Sequence, residues 1–308
     1  MACVLGPQKT VFMPHSPPSL PSSAASGSSD PAGACEETAG LMAENGGENG
    51  ESGVAHGAAW SPAWLIIAAL VLFVLAVVAG MFAGLVAAVV ADAAGWLPGT
   101  FDLSMRRLQI MPGEGLGPIV LLLTFSALVT QLVLVAGAIL PAARASGVSR
   151  GKALGLVRPR GLGAGGYAAF AVALAAYAVG ADAVLTAWVG EAALDWPFAS
   201  IGLAALPYLV VLCVIAPFAE ELVFRGWFLV GLRCHWRPWT AIAVSGLLWA
   251  DLHMFEDPLK AILLFVPGLA YAWLRLRTGS IWPPVIFHVM HNVIVIGITW
   301  ARASGSFG

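Results

Sequence analysis

The chain has 308 residues, of which 59% are hydrophobic and only 10% charged, with a mean hydropathy of +0.85. A soluble domain carries about 25% charged residues, which excludes water as the main solvent of this fold. The formal net charge of −2 comes without the clustered basic surface that nucleic-acid binding requires, so no nucleic-acid partner is expected.

Residues 1–58 are rich in Ser, Gly, Pro and Ala, and carry Asp30, Glu36, Glu37, Glu44, Glu48 and Glu51 against a single Lys9. Such a segment buries too little apolar surface to offset its ordering entropy, which predicts a disordered N-terminal tail. It also lacks a basic stretch leading into a short apolar core, so no cleavable signal peptide is expected.

From Trp64 onward the composition changes to long apolar runs. Seven candidate spans follow, near 63–91, 117–140, 164–189, 200–231, 238–254, 258–275 and 281–301. Each approaches the ~20 residues that cross a hydrocarbon core of ~30 Å, although the fifth is short. The first contains Gly80 and Gly84, a spacing that permits close helix contact. The prediction is an all-α polytopic membrane bundle enclosing a polar cavity and surrounded by membrane lipids. Its N-terminal transmembrane helices lie within 59–199, a catalytic helical core within 200–301, and a short tail in 302–308.

Lys and Arg set the orientation, because short cytoplasmic loops are enriched in them. The loop after the second span carries Arg144, Arg150, Lys152, Arg158 and Arg160. The next basic connections hold Arg233 with Arg237, then Arg275 with Arg277. Intervening loops carry Glu191 and Asp195, then Glu256 and Asp257. The pattern predicts a cytoplasmic N-terminus, with Arg106-Arg107 as the exception. The Ala- and Gly-rich composition suggests a bacterial plasma membrane. Trp60, Trp64, Trp96, Trp188, Trp196, Trp282 and Trp300 near span ends read as an interfacial belt.

The fourth span contains the chemistry, in Ala216-Pro217-Phe218-Ala219-Glu220-Glu221-Leu222-Val223-Phe224-Arg225-Gly226. A charge near the bilayer centre costs roughly 2.5–3.5 kcal/mol on insertion scales, so two acids there need a function. Glu221 and Arg225 are four apart on a helix and face each other. Glu220 sits about 100° round the axis, which leaves it free as a candidate general base, with Glu221 and Arg225 as its support. His253 ends the fifth span, and His288 and Asn292 lie one helical turn apart in the seventh. Polar groups within spans tend to face a wet cavity. His291 shares a face with His288 and reads equally as a supporting donor or as core. Asp182 lies in the third span. Asp251, two residues before His253, falls on nearly the opposite helix face from it.

Glu-Glu-x-x-x-Arg at 220–225, the aromatic Trp249 ahead of His253, and His-x-x-x-Asn at 288–292 together resemble the CPBP family. That family groups CAAX prenyl proteases of the Rce type with bacterial Abi and immunity-type membrane proteins. The text Arg277-Thr278-Gly279-Ser280-Ile281-Trp282-Pro283-Pro284 is also similar to it. The resemblance covers roughly residues 200–300, and departs in having Trp249 where the second motif usually has Phe. It implies an intramembrane endopeptidase whose cavity opens to the cytosol and whose peptide or protein substrate is prenylated in some members. Glu220 and His253 would activate water, and His288 and Asn292 would donate to the oxyanion. Were zinc to take part, Glu220, His253 and His288 would be its ligands. No His-Glu-x-x-His spacing is present, and glutamate-activated water is the expected route. Two rival readings are a non-catalytic scaffold or immunity-type protein and a proton-coupled transporter. The second would call for an internal repeat, and none is visible.

Overall fold

The computed structural model describes residues 61–95, 116–142, 149–190, 205–254 and 257–303. The expected disordered tail, Arg106-Arg107 and the loop holding Glu191 and Asp195 lie outside the described residues. Everything described is helix or connection, with no strand among the described residues. The helices are α1 (Pro62–Ala93), α2 (Leu116–Ala142), the short α3 (Arg150–Ala153) and α4 (Ala164–Val189). A single long rod, α5 (Leu206–Arg233), then precedes α6 (Pro238–Asp251), α7 (Pro258–Thr278) and α8 (Trp282–Ala303).

Six of these helices, α1, α2, α4, α5, α7 and α8, are long and apolar enough to cross a membrane. The remaining expected span, the fifth, is α6, a helix of only 14 residues. At 1.5 Å per residue it reaches about 21 Å, short of the ~30 Å hydrocarbon core. Outward-facing large apolar side chains on α1, α2 and α4, such as Phe82, Leu132 and Val172, are exposed as lipid-facing residues should be. Exposed tryptophans mark both rims: Trp64, Trp239 and Trp282 at one end of the bundle, Trp188 and Trp300 at the other.

Small residues bring the helices together. Gly80 and Gly84 of α1 both face Ser126 of α2, whose Oγ–H donates to the Gly80 carbonyl at 2.7 Å. The GxxxG spacing is thus a packing seam. Gly246 of α6 and Gly268 of α7 form a tighter one, where a Cβ on Gly268 would lie 2.9 Å from the Gly246 oxygen. Backbone cannot yield as a side-chain tip does, so Gly268→Ala is expected to destabilise by about 1–3 kcal/mol, the usual range for overpacking. A melting curve of the detergent-solubilised protein measures it.

The rod α5 has two wide, π-helical stretches, Val211–Ile215 and Leu222–Phe228. Pro217 accounts for the first, since it has no N–H and its ring crowds the carbonyl four residues back. The motif acids sit on the α-helical turn between the two stretches, Ala216–Glu221.

α7 starts at Asp257, whose carboxylate accepts from the Leu259 and Lys260 amides at 2.7 and 3.2 Å. It stops at Gly279, whose φ of 66° is easy only for glycine. Beyond that stop, Ser280 Oγ–H donates to the Val157 carbonyl at 2.6 Å, and the Ile281 amide to Gly155 at 2.9 Å. The basic segment after α3 is thereby fastened to the α7–α8 turn.

Candidate active site

Glu220, His253, His288 and Asn292 all line one cavity of ≈ 450 Å³, between α4, α5, α6, α7 and α8. Glu220 keeps 20% of its side chain accessible, whereas Glu221 and Arg225 are sealed at 0%. One turn of α5 therefore sends neighbouring carboxylates into different surroundings.

Glu221 sits at the centre of a buried network. Its Oε1 accepts from Arg225 Nη1–H at 3.0 Å, the i,i+4 pair expected from spacing. The same oxygen lies 3.0 Å from His288 Nδ1 on α8. Arg225 donates a second bond, from Nη2, to the Gly268 carbonyl at 3.1 Å. Its guanidinium also lies 5.0 Å from the Trp249 ring centre and 5.6 Å from that of Tyr271, within cation–π range. Arg275 Nε–H then donates to the Arg225 carbonyl at 3.2 Å. Through these bonds Glu221 and Arg225 tie α5 to α7 and α8.

Glu220 is held differently. Its Oε2 accepts from the indole Nε1–H of Trp249 at 2.7 Å, and His288 Nε2 stands 4.0 Å from the same oxygen. Sequence reasoning treated Trp249 as an aromatic variant of the usual Phe. Only an indole carries the N–H that this bond uses, and the chemical difference between the two residue types was the available signal. Trp249→Phe keeps an aromatic ring but removes the donor and part of a fully buried side chain. A hydrogen bond to a charged group contributes about 1.5–3 kcal/mol, so activity is expected to fall about 10- to 150-fold, and the space left by the smaller ring is expected to lower the melting temperature as well. Kinetics of the purified variant test it.

Partners fix the histidine tautomers. A carboxylate only accepts, so the Nδ1 of His288 carries a proton toward Glu221, leaving Nε2 to face Glu220. The His288 ring is wedged between Tyr271, stacked at 5.2 Å, and the edge of Trp249 at 5.2 Å. The Nδ1 of His253 lies 3.1 Å from the Trp249 carbonyl; a carbonyl also only accepts, so Nε2 of the neutral ring keeps a lone pair. Asn292 donates one Nδ2–H to the Leu212 carbonyl of α5 at 3.0 Å, and its amide has a second N–H.

Other candidates fall into place more plainly. Asp251 is exposed and, as its helix phase implied, takes no part in holding His253. His291 lines the cavity, is 5% exposed, and its Nδ1 has no hydrogen-bond partner. Asp182 also lines the cavity and forms a bidentate ion pair with Arg302 of α8. Lys260, on the first turn of α7, is a further lining residue that the motif reading did not single out.

A zinc ion on Glu220, His253 and His288 would need three donors about 2.0–2.2 Å from one point. Among the described residues no three His, Cys, Asp or Glu side chains form such a group. This arrangement of donors does not fit a metal site.

The lipid-facing helices and the shared polar cavity define a multi-pass membrane protein with a buried hydrophilic site. Residues 202–294 match the family described as Type II CAAX prenyl endopeptidase Rce1-like. The chain is also similar to a Bacillus subtilis (strain 168) protein named "Putative membrane peptidase YdiL", with 29% identity over 94 residues, 30% of this chain and 37% of that protein. An Escherichia coli "Uncharacterized 24.3 kDa protein" is 31% identical over 84 residues, 26% of this chain and 39% of the relative. The chain thus spans under two fifths of the length of these curated relatives. No solved structure matches it. The matched segment, 202–294, is the one that carries Glu220, Glu221, Arg225, His253, His288 and Asn292.

Proposed function

We propose that the chain is an intramembrane endopeptidase that hydrolyses a peptide bond with water activated by Glu220 and His253. One observation carries this reading: an accessible carboxylate, oriented by an indole N–H, faces His288 inside a cavity that also holds His253 and Asn292. In a low-dielectric site each such contact is stronger than in water.

The roles follow from the groups left over. Glu220 and the Nε2 lone pair of His253 are the acceptors available to take a proton from water. Asn292 has an N–H to offer a developing oxyanion. His288 joins it as a donor once Nε2 carries a proton in addition to the one on Nδ1. Removing one oxyanion donor typically costs about 2.7–4 kcal/mol. Glu221 and Arg225 position His288 and do not meet the substrate.

The deciding experiment compares the termini of membrane-associated proteins in cells producing the wild type or Glu220→Gln. New N-termini that vanish with the variant support hydrolysis. Identical termini, with the variant folded at normal abundance, would leave a scaffold. Prolonged chelation of the purified enzyme is expected to leave its rate unchanged, since no three-donor group is found among the described residues. A loss on chelation that zinc restores would reverse that part of the reading.

A further inference from the structure

The cavity and the basic residues occupy opposite ends of the bundle. On α5 the lining runs from Glu220 back to Tyr208 and leaves residues 221–233 outside it. On α7 it takes Lys260, Leu263 and Leu264, all from the half nearest Asp257. On α4 it begins at Ala178, well past the start of that helix. Toward the other end the floor is solid, since Glu221, Phe224, Arg225 and Phe228 are at most 3% exposed.

That other end gathers the cations. Arg233 ends α5 and Arg237 follows it, and Arg275 and Arg277 lie in the last turn of α7. The segment with Arg158 and Arg160 is fastened there too: the Arg160 amide donates to the Thr278 carbonyl at 3.1 Å. Gly155 and Gly161 lie directly against the Arg275 and Arg277 side chains. The cavity end has Lys260 and Arg302 among the described residues, the latter paired with Asp182. In the sequence, the connections that follow α4 and α6 carry Glu191, Asp195, Glu256 and Asp257. Arg106-Arg107 in the sequence, with Lys260 and Arg302, are the contrary signals.

Lys and Arg near span ends in short loops decide orientation and mark the cytoplasmic side. We infer that the cavity holding Glu220 opens toward the extracytoplasmic face of the membrane, so that its substrate is an extracytoplasmic segment of an exported or membrane-anchored polypeptide. This reverses the cytosol-facing cavity that the family resemblance implies. It also removes a prenylated cytosolic tail from the substrate class. The substrate part rests on the proteolytic reading, whereas the direction of the opening does not.

Orientation is read without activity. Met254, exposed beside His253, and Arg237, exposed at the opposite end, are each changed to Cys in a chain whose four native cysteines are replaced by Ser. A membrane-impermeant maleimide is then applied to intact and to permeabilised bacterial cells. Met254→Cys is expected to label as fully in intact as in permeabilised cells, and Arg237→Cys only after permeabilisation. As a second readout on the native cysteines, alkaline phosphatase fused after Gly308 should be active and a green fluorescent protein at the same place dark. The opposite labelling, equal labelling of both thiols in intact cells, or a dark phosphatase with a bright fluorescent fusion would each overturn the inference. Correct orientation with unchanged protein termini in the Glu220→Gln comparison would instead sink only the protease reading.

Discussion

Glu220→Gln is expected to lower peptide hydrolysis by about 10²–10⁴-fold, the range over which a positioned base contributes, while the protein remains folded. Glutamine is nearly the same shape and its carbonyl oxygen can still accept from Trp249 Nε1–H. What it loses is the ability to take a proton. The side chain is partly accessible to the cavity, so no buried ion pair is broken. Turnover of a peptide by the purified variant, alongside its melting curve, measures both halves. A rate within a few-fold of wild type would remove Glu220 from the chemistry.

Arg225→Ala should behave in the opposite way. The guanidinium is fully buried, and its loss leaves Glu221 with His288 Nδ1 as its remaining partner. Removing one member of a buried pair typically costs about 3–5 kcal/mol, a large share of the 5–15 kcal/mol that holds an ordinary domain together. The cation also fills space between Phe224, Trp249 and Tyr271, so packing is lost with charge. The expected result is a sharp drop in yield and melting temperature. Replacing Glu221 and Arg225 together by apolar residues of similar volume should cost less than the two single changes added. A fully stable but inactive Arg225→Ala would mean that the two acids share the work differently.

Much of this site is legible in the sequence because it lies along single helices. The Glu221–Arg225 pair and the common face of His288 and Asn292 follow from 3.6-residue periodicity alone. Their unusual depth in apolar runs marks them as more than core. What periodicity does not carry is contact between helices. The bond from His288 to Glu221 joins residues 67 apart in sequence, and Trp249 to Glu220 joins residues 29 apart. The ion pair of Asp182 with Arg302 spans 120.

The fold was readable to a similar depth. Span positions follow from hydropathy, and the fifth already reads as short, but hydropathy does not place its end at Asp251, because the apolar text continues past that residue while the helix stops there. The wide turns in α5 answer to Pro217 and to packing, which a uniform helical period smooths over. The tight Gly246–Gly268 seam is likewise invisible among 35 glycines.

That seam has a consequence for how the protein is made. A helix as short as α6 is a poor candidate to leave the translocation machinery unaided, so it should enter the bilayer only as a hairpin, once α7 has emerged from the ribosome. His288 and Asn292 arrive later still, on α8. A nascent chain therefore carries Glu220 for many residues of synthesis without the groups that complete the cavity, which forms only once α8 has been made.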